Sequence, residues 1–200
     1  MRRLSRLTRF TLECIFSRPV SRLLWGRLVL AGALAGTLAL GGCASQQVEA
    51  YANEKPVLDL QQYFNGTLDA YGVFTDRSGT VVKRFSVVMV CNWQGDEGTL
   101  DESFSYADGS TQKRVWHLSK QANGHFVGRA DDVQGVALGE VRGNALHWNY
   151  TLNLPVDGTV YAMQFDDWMY LMDGRVMLNK ARMSKFGFQL GEVTLSFYKR

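Results

Sequence analysis

Two pairs of adjacent carboxylates, Asp131–Asp132 and Asp166–Asp167, hold the densest chemistry in this sequence of 200 residues. Two acids side by side can divide the roles of general acid and base. Neighbouring residues of a strand, however, point to opposite faces, so neither pair is a dyad in itself. One acid of each pair turns to water and the other inward. The inward acid has two readings. It is a structural acceptor, bonded to backbone or to an arginine and fixing a bend, or it is a perturbed group of a functional site. The other chemistry-bearing residues are sparse. His117 and His147 fall on the wet faces of their segments and His125 in a turn, and neither they nor the three cysteines have the spacing of a zinc or haem site. There is no Gly-x-Ser-x-Gly elbow and no phosphate loop. No metal and no cofactor is expected, and no catalytic residue is assigned.

The elements that carry these residues read as β. In "NALHWNYTLNL", Leu146, Trp148, Tyr150, Leu152 and Leu154 alternate with His147, Asn149, Thr151 and Asn153, the pattern of a strand with one dry face. "KRVWHLS", "TVYAMQFDDW" and "LDESFSY" alternate likewise. Between such segments stand short turns, among them "YADGS", "QANGH", "PVDGT" and "LMDGR", in which Asp-Gly and Asn-Gly supply the backbone of tight hairpins. About ten strands joined mostly by hairpins make an antiparallel up-and-down meander. Closing it into a barrel of the lipocalin or fatty-acid-binding-protein kind hides its edges; an open curved sheet or a β-sandwich is the alternative. In "FGFQLGEVTLSF" the apolar phase moves from even to odd positions, which a bulge at Gly191 accommodates.

Phase then selects the candidates. Asp167 shares the face of Tyr161, Met163 and Phe165; Glu102 that of Leu100 and Phe104; Arg114 that of Trp116 and Leu118. An unpaired charge cannot sit in a dry interior. Either the three pair into a network that plugs a filled barrel, or they meet water and a polar ligand group in a cavity. In the second case Glu102, Arg114, Trp116, Trp148, Tyr150, Tyr161 and Asp167 line a site for a fatty acid or other lipid, and the Arg114 fork suits an anionic headgroup. Trp93 and Trp168 line the same pocket or fill the core. Three functions stay open: a lipid-binding protein, an envelope interaction module with a filled barrel, and a lipid-modifying enzyme using Asp167 or Glu102.

The segments "DDVQGVALGEVRGNALHW", "LPVDG", "FDDWMY" and "MSKFGF" resemble a family of bacterial lipoproteins catalogued as a domain of unknown function, with a lipocalin-like fold, over about Tyr63 to Lys199. The family supplies no activity and no catalytic residue. Its genes often lie near those for cyclopropane fatty-acid synthesis, which implies a role with envelope lipids.

The first 42 residues have the layout of an export signal: seven arginines and one acid, then thirteen apolar or small residues from Leu28 to Leu40, short of the twenty or so needed to cross a bilayer. "LGGC" resembles a lipobox, so Cys43 is expected to carry lipid and become the new N-terminus, anchoring the protein to a membrane. Residues 43–56 read as a polar tether and 57–200 as the barrel domain. Without the leader, 15 basic residues face 18 acidic ones, a net charge of −3 in place of +3, and nothing suggests nucleic-acid binding. Ala44 and Ser45 stand where an aspartate would retain the protein in the inner membrane, so the periplasmic face of the outer membrane is expected. Cys91, with apolar neighbours, reads as a small buried hydrophobe. The Cys43→Ser variant should lose metabolic labelling by palmitate; labelling that persists would remove the lipid anchor from the account.

Overall fold

The computed structural model describes residues 45–156 and 158–200. Cys43 and the expected leader lie outside the described residues. Ten strands follow one another: β1 (Gly66–Asp76), β2 (Val81–Gln94), β3 (Glu97–Tyr106), β4 (Thr111–Lys120), β5 (His125–Arg129), β6 (Ala137–Arg142), β7 (Ala145–Val156), β8 (Thr159–Leu171), β9 (Val176–Lys185) and β10 (Phe188–Lys199). Each pairs antiparallel with the next, and β1 pairs with β10 from Leu68↔Lys199 to Asp76↔Gly191. The meander is a closed barrel, as the edge argument requires. The phase change of β10 is a bulge, where the β9 register shifts between Gln189 and Gly191. Among the described residues no helix is long and apolar enough to cross a membrane.

Aspartates build three of the hairpins. Asp76 Oδ1 accepts from the Ser78 and Thr80 amides, Asp108 Oδ1 from the Ser110 amide, and Asp173 Oδ1 from the Arg175 and Val176 amides. Each occupies backbone donors that the strand ladder leaves over at the turn.

The wall is complete except in one quarter. β5 and β6 are short, and β5 pairs with only the last four residues of β4. Ala130 to Val136 cover the gap. The Asn153 amide donates to Asp132 O, the Gln134 amide to Thr151 O, and Val133 bridges Leu152. Over this quarter the indole of Trp148 lies on bare backbone: a Cβ on Gly139 would come within 2.1 Å of it, and one on Gly128 within 2.5 Å.

The end of the barrel at which β1 begins is closed by α1 (Leu60–Tyr63), whose N-cap Asp59 accepts from the Gln62 amide. Leu60 and Phe64 turn inward on Leu68, Met177 and Phe197, all buried. At its far end the Phe64 carbonyl accepts from Trp93 Nε1 and the Tyr63 carbonyl from Lys199 Nζ, satisfying groups that a helix terminus leaves free. Trp93 is therefore part of this floor.

The expectation of a polar tether over 43–56 needs correction from Gln46 on. Val48–Tyr51 form a 3-10 turn against β6 and β7, with Val48 buried. Glu49 meets Arg142 at 2.8 Å, and Gln46 Nε2 reaches the Tyr170 hydroxyl. The Tyr51 ring lies 5.9 Å from that of Trp168. Trp168 points out of the barrel and is buried by this segment, so it is neither pocket nor central core. The segment was misread because its glutamines and Glu49 grip the barrel through polar contacts, which leave no apolar pattern in the sequence.

Gly139→Ala should destabilise the domain by about 1–3 kcal/mol, because a methyl group there displaces the indole of Trp148. Urea denaturation followed by circular dichroism measures the loss; an unchanged midpoint would mean that Trp148 is not seated on β6.

Candidate functional site

The barrel encloses a cavity of about 800 Å³ that runs from Leu60 and Phe64 on the floor to the exposed Lys83 and Val156 at the opposite rim. Its walls are the inward residues of the strands, mostly aliphatic and aromatic. Glu102, Arg114, Trp116, Trp148, Tyr150 and Asp167, all selected by phase, line it. Tyr161 does not: it sits toward the rim with Lys185 Nζ 4.3 Å over its ring. Phase assigned its face correctly, but alternation says nothing of height along the barrel.

A polar belt crosses this apolar interior. Glu102 and Arg114 are cross-strand partners, and Glu102 Oε2 lies 3.7 Å from Arg114 Nη1. The guanidinium is held mainly by Asp132, with Nε at 3.1 and 2.9 Å from the two carboxylate oxygens and Nη2 at 2.8 Å. Arg114 thus fastens the loop covering the wall gap to β4. The expectation that it receives an anionic headgroup must be revised, because Asp132 holds Nε and Nη2 of its fork and Nη1 stands 3.7 Å from Glu102. Asp131, the other member of that pair, is exposed. Opposite, Tyr150 donates to Asp167 Oδ2 at 3.2 Å, and Asn179 Nδ2 donates to Asp167 Oδ1. Asn179 was missed, although it shares the inward face of β9 with Met177 and Ala181; the phase test applied to Asp167 would have found it. Trp116 meets Trp148 and Tyr150 edge-on at 5.9 and 5.5 Å, and Tyr150 stacks on Phe165.

Burial dominates the electrostatics. It raises the Glu102 carboxyl to about 7; Arg114 pulls it down, Asp132 and Asp167 push it further up, and a hydrogen bond from Trp116 lowers it. Burial also raises Asp167 to about 7, against the hydrogen bonds from Asn179 and Tyr150. Tyr150 is pushed well above the usual phenol range, by burial first and then by Asp167. Burial works against the Arg114 cation as well, but Asp132 and Glu102 outweigh it and keep the guanidinium charged. Glu102 Oε2 is buried without a hydrogen-bond partner. Among the described residues no group of three or more His, Cys, Asp or Glu is placed to hold a metal ion.

Outside the wall, Asp166 forms a separate cluster. It meets His147 Nε2 at 2.7 Å, Arg182 Nη2 at 2.7 Å and Trp168 Nε1 at 3.1 Å, while the His147 ring stacks on Trp168. His147 faces outward as expected, but it is half-buried and bonded. Each acid pair divides between the two faces. Cys91 is buried, its thiol pushed up to about 12, chiefly by burial, which leaves it inert.

A profile of the family described as "Protein of unknown function (DUF3833)" matches residues 37–199. The chain belongs to the DUF3833 family. No curated protein matches it in sequence. Among solved structures, the S-type phycobiliprotein lyase CPES from Guillardia theta superposes with a TM-score of 0.55 at 6% identity, over 78% of this chain and 98% of that one. A DUF3598 protein of unknown function from Nostoc punctiforme PCC 73102 superposes with a TM-score of 0.52 at 13% identity, over 78% of this chain and 53% of that one. At these identities the likeness of this DUF3833 protein to both is one of fold.

The raised carboxyls make stability depend on pH. Folded Glu102 and Asp167 hold their protons more tightly than they do in the unfolded chain. That contribution is full below about pH 4 and is lost as the pH rises through about 7. The depressed carboxylates Asp69, Asp76, Asp108, Asp166 and Asp173 act in the opposite sense, in more acid solution. Stability should therefore fall from about pH 5 to about pH 8, by up to about 3 kcal/mol for each of the two groups. Glu102→Gln and Asp167→Asn should each flatten the curve. Thermal unfolding across that range is the measurement, and a wild-type profile that rises or stays level would contradict the assignment.

Proposed function

We propose that this protein binds an elongated hydrophobic ligand, a lipid or similar amphiphile, in the lumen of its barrel, and that it is anchored through lipid on Cys43 at the periplasmic face of the outer membrane. The observation that carries the binding reading is the cavity of about 800 Å³ with aromatic and aliphatic walls. That is a size typical of small-molecule sites, and a few convergent polar groups stand inside it, as such sites require. A filled barrel would have spent the same side chains on packing.

The rim agrees with an apolar visitor. The hairpins around the open end expose Val81, Val82, Val156, Val160, Phe186 and Phe188, with Phe186 84% and Phe188 74% exposed. Apolar residues gathered at a cavity mouth, and not scattered singly, suit passage of a hydrophobic chain. The similarity to a protein named a phycobiliprotein lyase is one of fold and assigns no such activity here. The sequence supports the anchor through "LGGC" and the short apolar run before it.

Trp116 and Trp148 on the cavity wall report occupancy. Titrating the delipidated protein with a neutral hydrophobe such as a long-chain methyl ester should change tryptophan fluorescence and saturate at one equivalent. Glu102→Arg, which sets a second cation beside Arg114, should abolish the change or unfold the barrel. A wild type that shows no saturable response to any lipid class would replace this reading with that of an interaction module.

A further inference from the structure

The polar belt says which headgroup the lumen accepts. Away from Lys83 at the rim, four ionisable groups of the belt could set its charge: Glu102 on β3, Arg114 on β4, Asp132 on the loop over the wall gap and Asp167 on β8. Three are acids and one is a base. The base is largely committed, since Arg114 gives Nε and Nη2 to Asp132 and turns Nη1 toward Glu102 at 3.7 Å. Asp132 and Arg114 cancel, which leaves Glu102 with only a share of that cation and Asp167 with none. Asp167 is satisfied only by neutral donors, Tyr150 and Asn179. Glu102 has Arg114 at 3.7 Å as its nearest cation and the Trp116 N–H acting on its carboxyl, while its buried Oε2 accepts no hydrogen bond. A buried acceptor without a donor is costly, and because the Glu102 side chain lines the cavity, a small turn of it brings that oxygen to a ligand's donor.

We propose that the lumen selects an amphiphile whose polar end is a cation that donates hydrogen bonds, an ammonium above all, seated against Glu102 and Asp167, with its chain along Trp116 and Trp148. The inference rests on the reading of the barrel as a hydrophobe-binding site and names the ligand class that this site takes. An ammonium supplies the missing donor to Glu102 and neutralises the excess acid of the belt. A fatty-acid carboxylate would bring a further negative charge and no donor into the same apolar surroundings, where like charges repel with little screening. The choice is therefore opposite to the one that Arg114 suggests when read alone.

The test compares three ligands of one chain length, dodecylamine, dodecanol and dodecanoate, each below its micelle-forming concentration. The full chain is held in amphipol at about pH 8, and empty amphipol is the blank. Competition with a bound neutral fluorescent hydrophobe gives the three affinities. Dodecylamine should bind about tenfold or more tighter than dodecanol, the margin of a charge-assisted hydrogen bond over a neutral one, and dodecanoate weakest. Glu102→Gln should reduce the ratio of dodecylamine to dodecanol affinity, whatever it does to each alone. The preference in the wild type is decisive even if that variant misfolds. Dodecanoate or dodecanol binding as tightly as the amine would overturn the inference and leave the hydrophobe-binding reading standing. If neither the neutral hydrophobe nor any of the three bound, both would fall together.

Discussion

Everything in this protein follows from closing ten strands into a ring. A barrel's diameter grows with its strand number, and eight strands already leave an interior only just filled by side chains. With ten, the inward residues of the wall leave space in the middle, even with Trp116 and Trp148 among them. The β1–β10 pairing therefore removes the sheet's edges and creates an enclosed volume at the same time. Folding cannot have one without the other. The floor shows the adjustment: a single helical turn with Leu60 and Phe64 is inserted to fill one end, and the other end stays open.

The enclosed volume imposes a second constraint. Groups that face it are removed from bulk water, so each charge must find a partner or be neutralised, a carboxylate by taking up a proton. Arg114 finds Asp132, and that pairing also seals the quarter where β5 and β6 are too short. Asp167 finds Tyr150 and Asn179. Glu102 has the weakest arrangement. The belt is thus structural on its Arg114 side and available on its Glu102 side, though the two acids sit in similar apolar surroundings.

Alternation is local, so the sequence revealed the faces of the strands well. His147 and Trp148, or Asp166 and Asp167, part to opposite sides of the wall as a period of two demands. The hairpin aspartates and glycines marked the strand ends for the same reason. What the sequence hid is set by distance. Asp132 meets Arg114 across a gap that exists only because two later strands are short. Tyr161 has the right face but the wrong height. Trp168 has the composition of a core residue and is covered from outside by a stretch of glutamine, valine and tyrosine that carries no apolar period. Closure itself was legible only through the cost of unpaired edges, a global argument that no single segment states.

The docking of Gln46–Tyr51 beside the floor decides how the barrel would stand. Two residues, Ala44 and Ser45, separate Gln46 from Cys43, a reach of about 10 Å even when fully extended. For a chain lipidated at Cys43, the barrel is then no float on a leash but a cup set on its base. Strands of ten or more residues at the usual barrel tilt lift the rim roughly 30 Å from that bilayer. In such a chain the opening would face away from the bilayer, and whatever fills or empties the cup would come to it across the aqueous side.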